Sequence, residues 1–445
     1  MNVDDRLPLR FLTFFGNISL MLVCCFVIQT PLHAMSLDES TVAADADVKD
    51  FQLSDLAVRI RKMQPGPERD YFAGLLANRT GHIEGSIRLL KNALPFLRQS
   101  QDDRAALALK ALADDYGKIF QYGNAAQTYD DLLSHFPSKS GGGTKDDAGV
   151  LHLLAGVPPL TITWQGPTQL KTERNPIGSI VTELTVNGVK KPWLLDTGAN
   201  YSVVTRSFAK ELGLKPLPGF GQTGSGLTGL ESPLQAAALP PLKIGGATLN
   251  NVVVLILDDA NLKISFGDQS YQINAILGYP VFQAMGTITF LHDGEFEAGA
   301  MAQRSGNGTP MYLRRLTPVI RCRVEGTDLP FTFDTGASGT DLSVRYYDRF
   351  KGKGESWKKE TYEVGGSSGT VKREMYTQLA LHLGVGNKSV VLKNVSITPL
   401  KTNSGLDELY GNIGQDFVAG FESFTLDFSK MTFKLGDPLS EQNRK

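Results

Sequence analysis

The sequence predicts a mainly β protein preceded by an α-helical repeat region, and three observations carry that prediction. Residues 51 to 137 space their apolar side chains as helices do, and a segment within them recurs at an offset of 42 residues. Beyond residue 160 this spacing gives way to short apolar runs punctuated by Gly and Pro. Inside that second part a nine-residue run returns 138 residues later, so the β region is duplicated.

The 445 residues are enough for two or three domains, and 41% apolar with 20% charged residues excludes a disordered chain. Lys and Arg number 45 against 46 Asp and Glu, so the long-range attraction that nucleic-acid binding relies on is missing. Three Cys, two of them adjacent at Cys24 and Cys25, exclude a disulfide framework and a Cys-based zinc site. The six His are scattered with no HExxH pattern, so neither a metal nor a cofactor is expected.

In chain order, residues 1–36 come first. An apolar stretch from Phe11 to Thr30 follows Arg6 and Arg10 and precedes Ala34-Met35-Ser36, the pattern of a secretory signal peptide or an uncleaved N-terminal anchor. The expected location is outside the cytoplasm, a bacterial periplasm first, or membrane-anchored through this segment. Residues 37–140 form the helical region. Its repeat runs from Thr80-Gly81-His82 to Leu94-Pro95 and again from Tyr122-Gly123-Asn124 to Phe136-Pro137, with Gly and Pro as helix punctuation. Ala125, Ala126, Tyr129, Leu132 and Leu133 share one face, which resembles the second helix of a tetratricopeptide repeat. Such helix pairs offer a groove for a protein partner or cap a larger domain. Ser138 to Thr144 is rich in Ser and Gly, so residues 141–160 are expected to be a linker.

The β region divides into residues 161–303, a connection at 304–310 and residues 311–445. Pro192-Trp193-Leu194-Leu195-Asp196-Thr197-Gly198-Ala199-Asn200 returns as Pro330-Phe331-Thr332-Phe333-Asp334-Thr335-Gly336-Ala337-Ser338. Leu249-Asn250-Asn251-Val252 matches Leu392-Lys393-Asn394-Val395, and Ala275-Ile276-Leu277-Gly278 matches Gly411-Asn412-Ile413-Gly414. Nearly equal offsets imply one ancestral unit, duplicated. Each copy sets Asp-Thr-Gly-Ala at the end of an apolar strand. With these motifs in register, the region from about 165 to 437 resembles an aspartic protease with two retroviral-type (retropepsin-like) lobes fused in one chain.

That resemblance implies two retropepsin-like β lobes forming an acid-protease fold, with Asp196 and Asp334 meeting at a pseudo-twofold axis as the catalytic pair. Two neighbouring carboxylates cannot both ionise comfortably, so the pair keeps one proton: one member activates water, the other polarises the scissile carbonyl. Thr197 and Thr335 are expected, by the same resemblance, to hydrogen-bond across the lobes. Gly198 and Gly336 let the loop backbone turn tightly and approach the carboxylates. Gly278 and Gly414 belong to the apolar-apolar-Gly element behind each loop, where Asn412 departs from the apolar pattern. Ala199 and Ala337 supply no hydroxyl to the ionised pair, which predicts an optimum in weak rather than strong acid. Gly224, Gly226 and Gly229 in the first copy, and Gly366 and Gly369 in the second, are candidate tips of flaps over the substrate.

The first Gly segment formally matches GxGxxG, but no helix-forming run follows it, and the second matches GxSxG without a strand-to-helix elbow. The expected activity is therefore aspartic endopeptidase hydrolysis of protein or peptide substrates. A catalytically inactive peptide-binding relative and a helical-repeat adaptor stand as alternatives.

Overall fold

The computed structural model describes residues 37–100, 102–139, 142–224, 231–266, 269–304, 306–353, 357–366, 369–401 and 406–440. The segment expected to be a signal peptide or anchor lies outside them. Among the described residues no helix is long and apolar enough to cross a membrane. The protein is mainly β, with a helical region at its N-terminal side.

Among the described residues seven helices come first: α1 (Leu37–Lys49), α2 (Leu53–Lys62), α3 (Pro67–Arg79), α4 (Ile83–Gln99), α5 (Arg104–Lys118), α6 (Tyr122–His135) and α7 (Gly142–Leu154). Their buried faces follow the 3.6-residue period: Ile83, Leu90, Ala93 and Leu97 in α4, and Ala125, Ala126, Tyr129 and Leu132 in α6. Leu133 is half-buried against the same cluster. Pro95 does not stop α4, which runs on to Gln99. It is exposed and lies four residues before the helix end.

The expected linker at 141–160 is corrected by α7. Its Ala148, Val150, Leu151, Leu153 and Leu154 carry helical spacing behind a Gly-rich start. They bury against α6 and against Leu234, Ala236, Val253 and Leu255 of the first β copy. The composition of the start hid the period that follows it. Likewise the connection at 304–310 ends earlier than expected, because Thr309 and Pro310 already pair with Phe433 and Thr432 in the strand Thr309–Arg314.

In the first copy neighbouring strands run Ile180–Val186, Val189–Leu195, Ala275–Leu277, Ser202–Thr205, Val253–Leu257, Glu231–Ala238 and Gly221–Gly224. The second copy repeats the order as Thr317–Val324, Thr327–Phe333, Gly411–Ile413, Asp341–Leu342, Lys388–Ile397, Gly369–Val385 and Lys358–Gly366. Even the first hairpin turn is repeated. Asn187-Gly188 and Glu325-Gly326 both have positive φ at the two central positions, the twist that suits a two-residue hairpin.

A six-stranded layer joins the copies, with Thr287–Leu291 antiparallel to Ser423–Asp427 at its centre. There Thr289 and Thr425 are cross-strand partners whose buried hydroxyls lie 2.7 Å apart. Phe290 stacks on Phe424 beside them. One continuous core therefore runs through both copies.

The helical region packs on both copies. Gln283 donates to the Lys118 carbonyl at 3.0 Å, and Arg321 donates to the Phe51 carbonyl at 2.7 Å. Arg315 pairs with Asp147 of α7. Leu154→Ala, which empties a fully buried site between α7 and the first copy, is expected to lower the stability of the whole protein by about 2–5 kcal/mol in denaturant unfolding.

Candidate active site

Each Asp-Thr-Gly follows a strand that ends beside a short parallel neighbour. Asp196 N–H donates to the Leu277 carbonyl, and Asp334 N–H donates to the Ile413 carbonyl, both at 3.0 Å. The loops are thus fixed to the strands Ala275–Leu277 and Gly411–Ile413. Gly278 and Gly414 end those strands at close approaches. A Cβ on Gly278 would stand 2.5 Å from the carbonyl carbon of Tyr201, and one on Gly414 would stand 2.4 Å from the carbonyl oxygen of Gly339. Their N–H groups donate to Ser202 Oγ at 3.0 Å and to Thr340 Oγ1 at 3.2 Å.

The two loops then lock together. Thr197 N–H donates to Thr335 Oγ1 at 3.0 Å, and Thr335 N–H donates to Thr197 Oγ1 at 3.1 Å. Thr335 Oγ1 also donates to the Leu195 carbonyl at 2.8 Å. Both threonines are fully buried. Gln415 adds a tie of its own, donating to the Thr335 carbonyl at 2.6 Å while it accepts from Arg174 of the first copy.

This lock brings Asp196 and Asp334 face to face. A Cβ on Gly198 would stand 2.4 Å from Asp334 Cγ, and one on Gly336 would stand 2.4 Å from Asp196 Cγ. Each carboxylate rests on the glycine of the opposite copy, where any side chain would displace it. Asp196 Oδ1 accepts from the N–H groups of Gly198 and Ala199, both at 2.9 Å. Asp334 Oδ1 accepts from Gly336 N–H at 2.7 Å, and Asp334 Oδ2 takes the Asn412 side-chain amide at 3.3 Å. Burial, and then the charge of Asp334 next to it, hold the Asp196 carboxyl well above the usual carboxylate range. Three of the four carboxylate oxygens thus accept hydrogen bonds from fixed donors, and two carboxyls held this close can divide acid and base work between them.

The Gly-rich segments fall at hairpin ends. Gly224 pairs with Glu231 at the end of its hairpin, and Gly226 and Gly229 lie outside the described residues. Gly366 pairs with Gly369 at the end of a longer hairpin, whose strand Gly369–Val385 meets the turn Asp259–Leu262 of the first copy. Among the described residues no three His, Cys, Asp or Glu side chains come together as a metal site would require.

Sequence reasoning missed three participants. Ser202 and Thr340 brace the glycine ends, as their 138-residue offset signals in hindsight. Asp341, one residue on, occupies the place of Val203 in the first copy. Burial first, with the charges of Asp334 and Asp416, pushes its carboxyl up to about 7.

A family model for aspartyl proteases matches residues 182–281, the segment holding Asp196, Thr197, Gly198 and Gly278. Among solved structures the chain is similar to a retropepsin-like aspartic protease from Rickettsia conorii at 19% identity and a TM-score of 0.20. That match covers 31% of this chain and 92% of the other. A search of curated proteins finds no match. The family match over the first copy supports an aspartyl protease at this coarse level.

Thr335→Val strands the buried Thr197 N–H and is expected to cost about 1–3 kcal/mol in denaturant unfolding, with Thr335→Ser restoring most of it. Asp341 keeps its proton in the folded chain between about pH 4 and 7, while the unfolded chain releases it, so its contribution to stability falls as pH rises through that window. Asp341→Asn removes the loss: melting temperature should rise by about 2–4 °C at pH 8 and stay nearly unchanged at pH 4.

Proposed function

We propose that the chain is an aspartic endopeptidase that hydrolyses peptide bonds with water activated between Asp196 and Asp334. The observation that carries this reading is the reciprocal cradle, in which each carboxylate lies against the glycine of the other copy's loop. The charged member of the pair takes a proton from the attacking water, and the protonated member donates to the scissile carbonyl oxygen. The proton gained by the pair is then passed to the leaving amine. No covalent intermediate is required.

The two copies together supply one pair, so a second chain is not needed for catalysis. The hairpins ending at Gly224 and at Gly366 and Gly369 act as flaps over a bound peptide. The helical region serves as a wall of the first copy, and an exported location fits the N-terminal sequence.

The test is cleavage of a mixed-sequence peptide library between pH 3 and 8. Wild type should cut with a bell-shaped profile centred in weak acid, since burial raises Asp196 and neither Ala199 nor Ala337 offers a hydroxyl to the anion. Asp196→Asn and Asp334→Asn should each reduce kcat by at least about a thousandfold without loss of thermal stability. Cleavage that survives both substitutions would overturn the reading.

A further inference from the structure

Duplication gives every position of one copy a counterpart in the other, and beside the acidic pair the counterparts differ in kind. In the first copy Ile276 and Val203 are cross-strand partners, and Leu194 lies next to Ile276 on the other side. In the second copy the same register holds Asn412, Asp341 and Thr332. Three apolar side chains are replaced by three polar ones.

Cross-strand partners present their side chains on one face of a sheet. Asn412 donates to Asp334 Oδ2, so its face is that of the carboxylate oxygen left over by the Gly336 N–H. Thr332 Oγ1 donates to Asn412 Oδ1 at 2.6 Å and so fixes which way the amide points. Asp341 stands beside Asn412 on that face, partly open to solvent.

Nothing within the described protein answers its charge. Asp416 does not compete for a ligand, because its two oxygens already take the Thr340 N–H at 2.9 Å and the Thr340 hydroxyl at 2.6 Å. Among the described residues the Asp341 side chain has no hydrogen bond or ion pair, and the two charged groups that bear on it, Asp334 and Asp416, are both acidic. With no cation beside it Asp341 stays neutral in weak acid, and a cationic side chain of a substrate brought to this face would favour its ionised form.

We propose that Asp341 makes one subsite beside the catalytic pair selective for a basic side chain, so that the substrates are peptides with Lys or Arg close to the scissile bond. The proposal rests on the peptidase reading. Neighbouring strands lie about 4.8 Å apart and an extended peptide advances about 3.4 Å per residue, which puts the basic residue within two positions of the bond. In the first copy the counterparts Val203 and Ile276 pack against the apolar cluster that α6 and α7 cover.

The experiment compares peptides that carry Lys or norleucine at each position from the third before to the third after the scissile bond, cut by wild type and by Asp341→Val, Asp341→Asn and Asp341→Glu. At one position within two residues of the bond, wild type should prefer Lys by about tenfold or more in kcat/KM. Asp341→Val and Asp341→Asn should abolish that preference, and Asp341→Glu should retain part of it. The same sequences with a hydroxyethylene group in place of the scissile amide give the preference as a ratio of binding constants, read by calorimetry. Cleavage without a Lys preference, or a preference that Asp341→Val leaves intact, overturns the subsite and leaves the peptidase standing. No cleavage, with Asp341-dependent tighter binding of the Lys isostere, overturns the peptidase and keeps the subsite. Neither cleavage nor a binding preference overturns both.

Discussion

The structure depends on holding two carboxylates against each other in a buried place. Such a pair repels itself when both members ionise and loses water on every side, so it persists only where fixed donors replace the water. Backbone N–H groups from Gly198, Ala199 and Gly336 are those donors. They reach the carboxylates because the residues around them are too small to intervene. The Thr197 and Thr335 hydrogen bonds set the distance between the loops, and each loop is pinned in turn to the strand behind it. Loosening any member of this chain lets the carboxylates move apart. The six-stranded layer below, with Thr289 meeting Thr425, is the scaffold that keeps both copies in that relation.

The helical region belongs to the same system. Leu151, Leu153 and Leu154 of α7 complete a cluster that includes Leu234, Ala236, Val253 and Leu255, so the first copy's sheet is covered on that side by helix rather than by water. Tyr201, in the loop just after Asp-Thr-Gly-Ala-Asn, packs near Tyr122 of α6 at a ring separation of 6.4 Å. A movement of α6 or α7 would therefore be felt two residues beyond Ala199. Val319 and Leu409 of the second copy share a cluster with α1 to α5, which makes the helices a brace between copies.

Much of this was legible in the sequence for one reason: duplication prints the site twice. Asp196 and Asp334, the crossing threonines and the glycines at 198, 278, 336 and 414 all follow from two matched motifs, because close backbone approach leaves glycine as the sole choice. The helix α7 was not legible, since Gly142 and Gly143 at its start carry the composition of a linker while its apolar face is decided by the sheet it covers. Pro95 misled in the opposite sense. Pro95 lies exposed inside α4, and the helix continues past it for another turn. Asn412 was visible as a departure from pattern, yet its hydrogen bond to Asp334 was not, because only the fold shows that Thr332 turns the amide towards the carboxylate.

Asymmetry between the copies has a physical origin in their fusion. In a pair of identical chains, one gene position sets both sides of the cleft, so an acidic side chain beside the catalytic carboxylates would appear twice and add two charges to a site that tolerates few. A single chain removes that coupling. Val203 can remain apolar and close the first copy's core face, while its counterpart 138 residues away is the acidic Asp341. In the second copy Thr332 and Asn412 stand where the first has Leu194 and Ile276, giving the neighbourhood of Asp341 dipoles in place of methyl groups. Thr332 and Asn412 bond to each other and to Asp334, so they surround Asp341 with polar groups where Leu and Ile would give it none. Their joint presence in the second copy, and their joint absence from the first, is what a cleft with two chemically different sides requires.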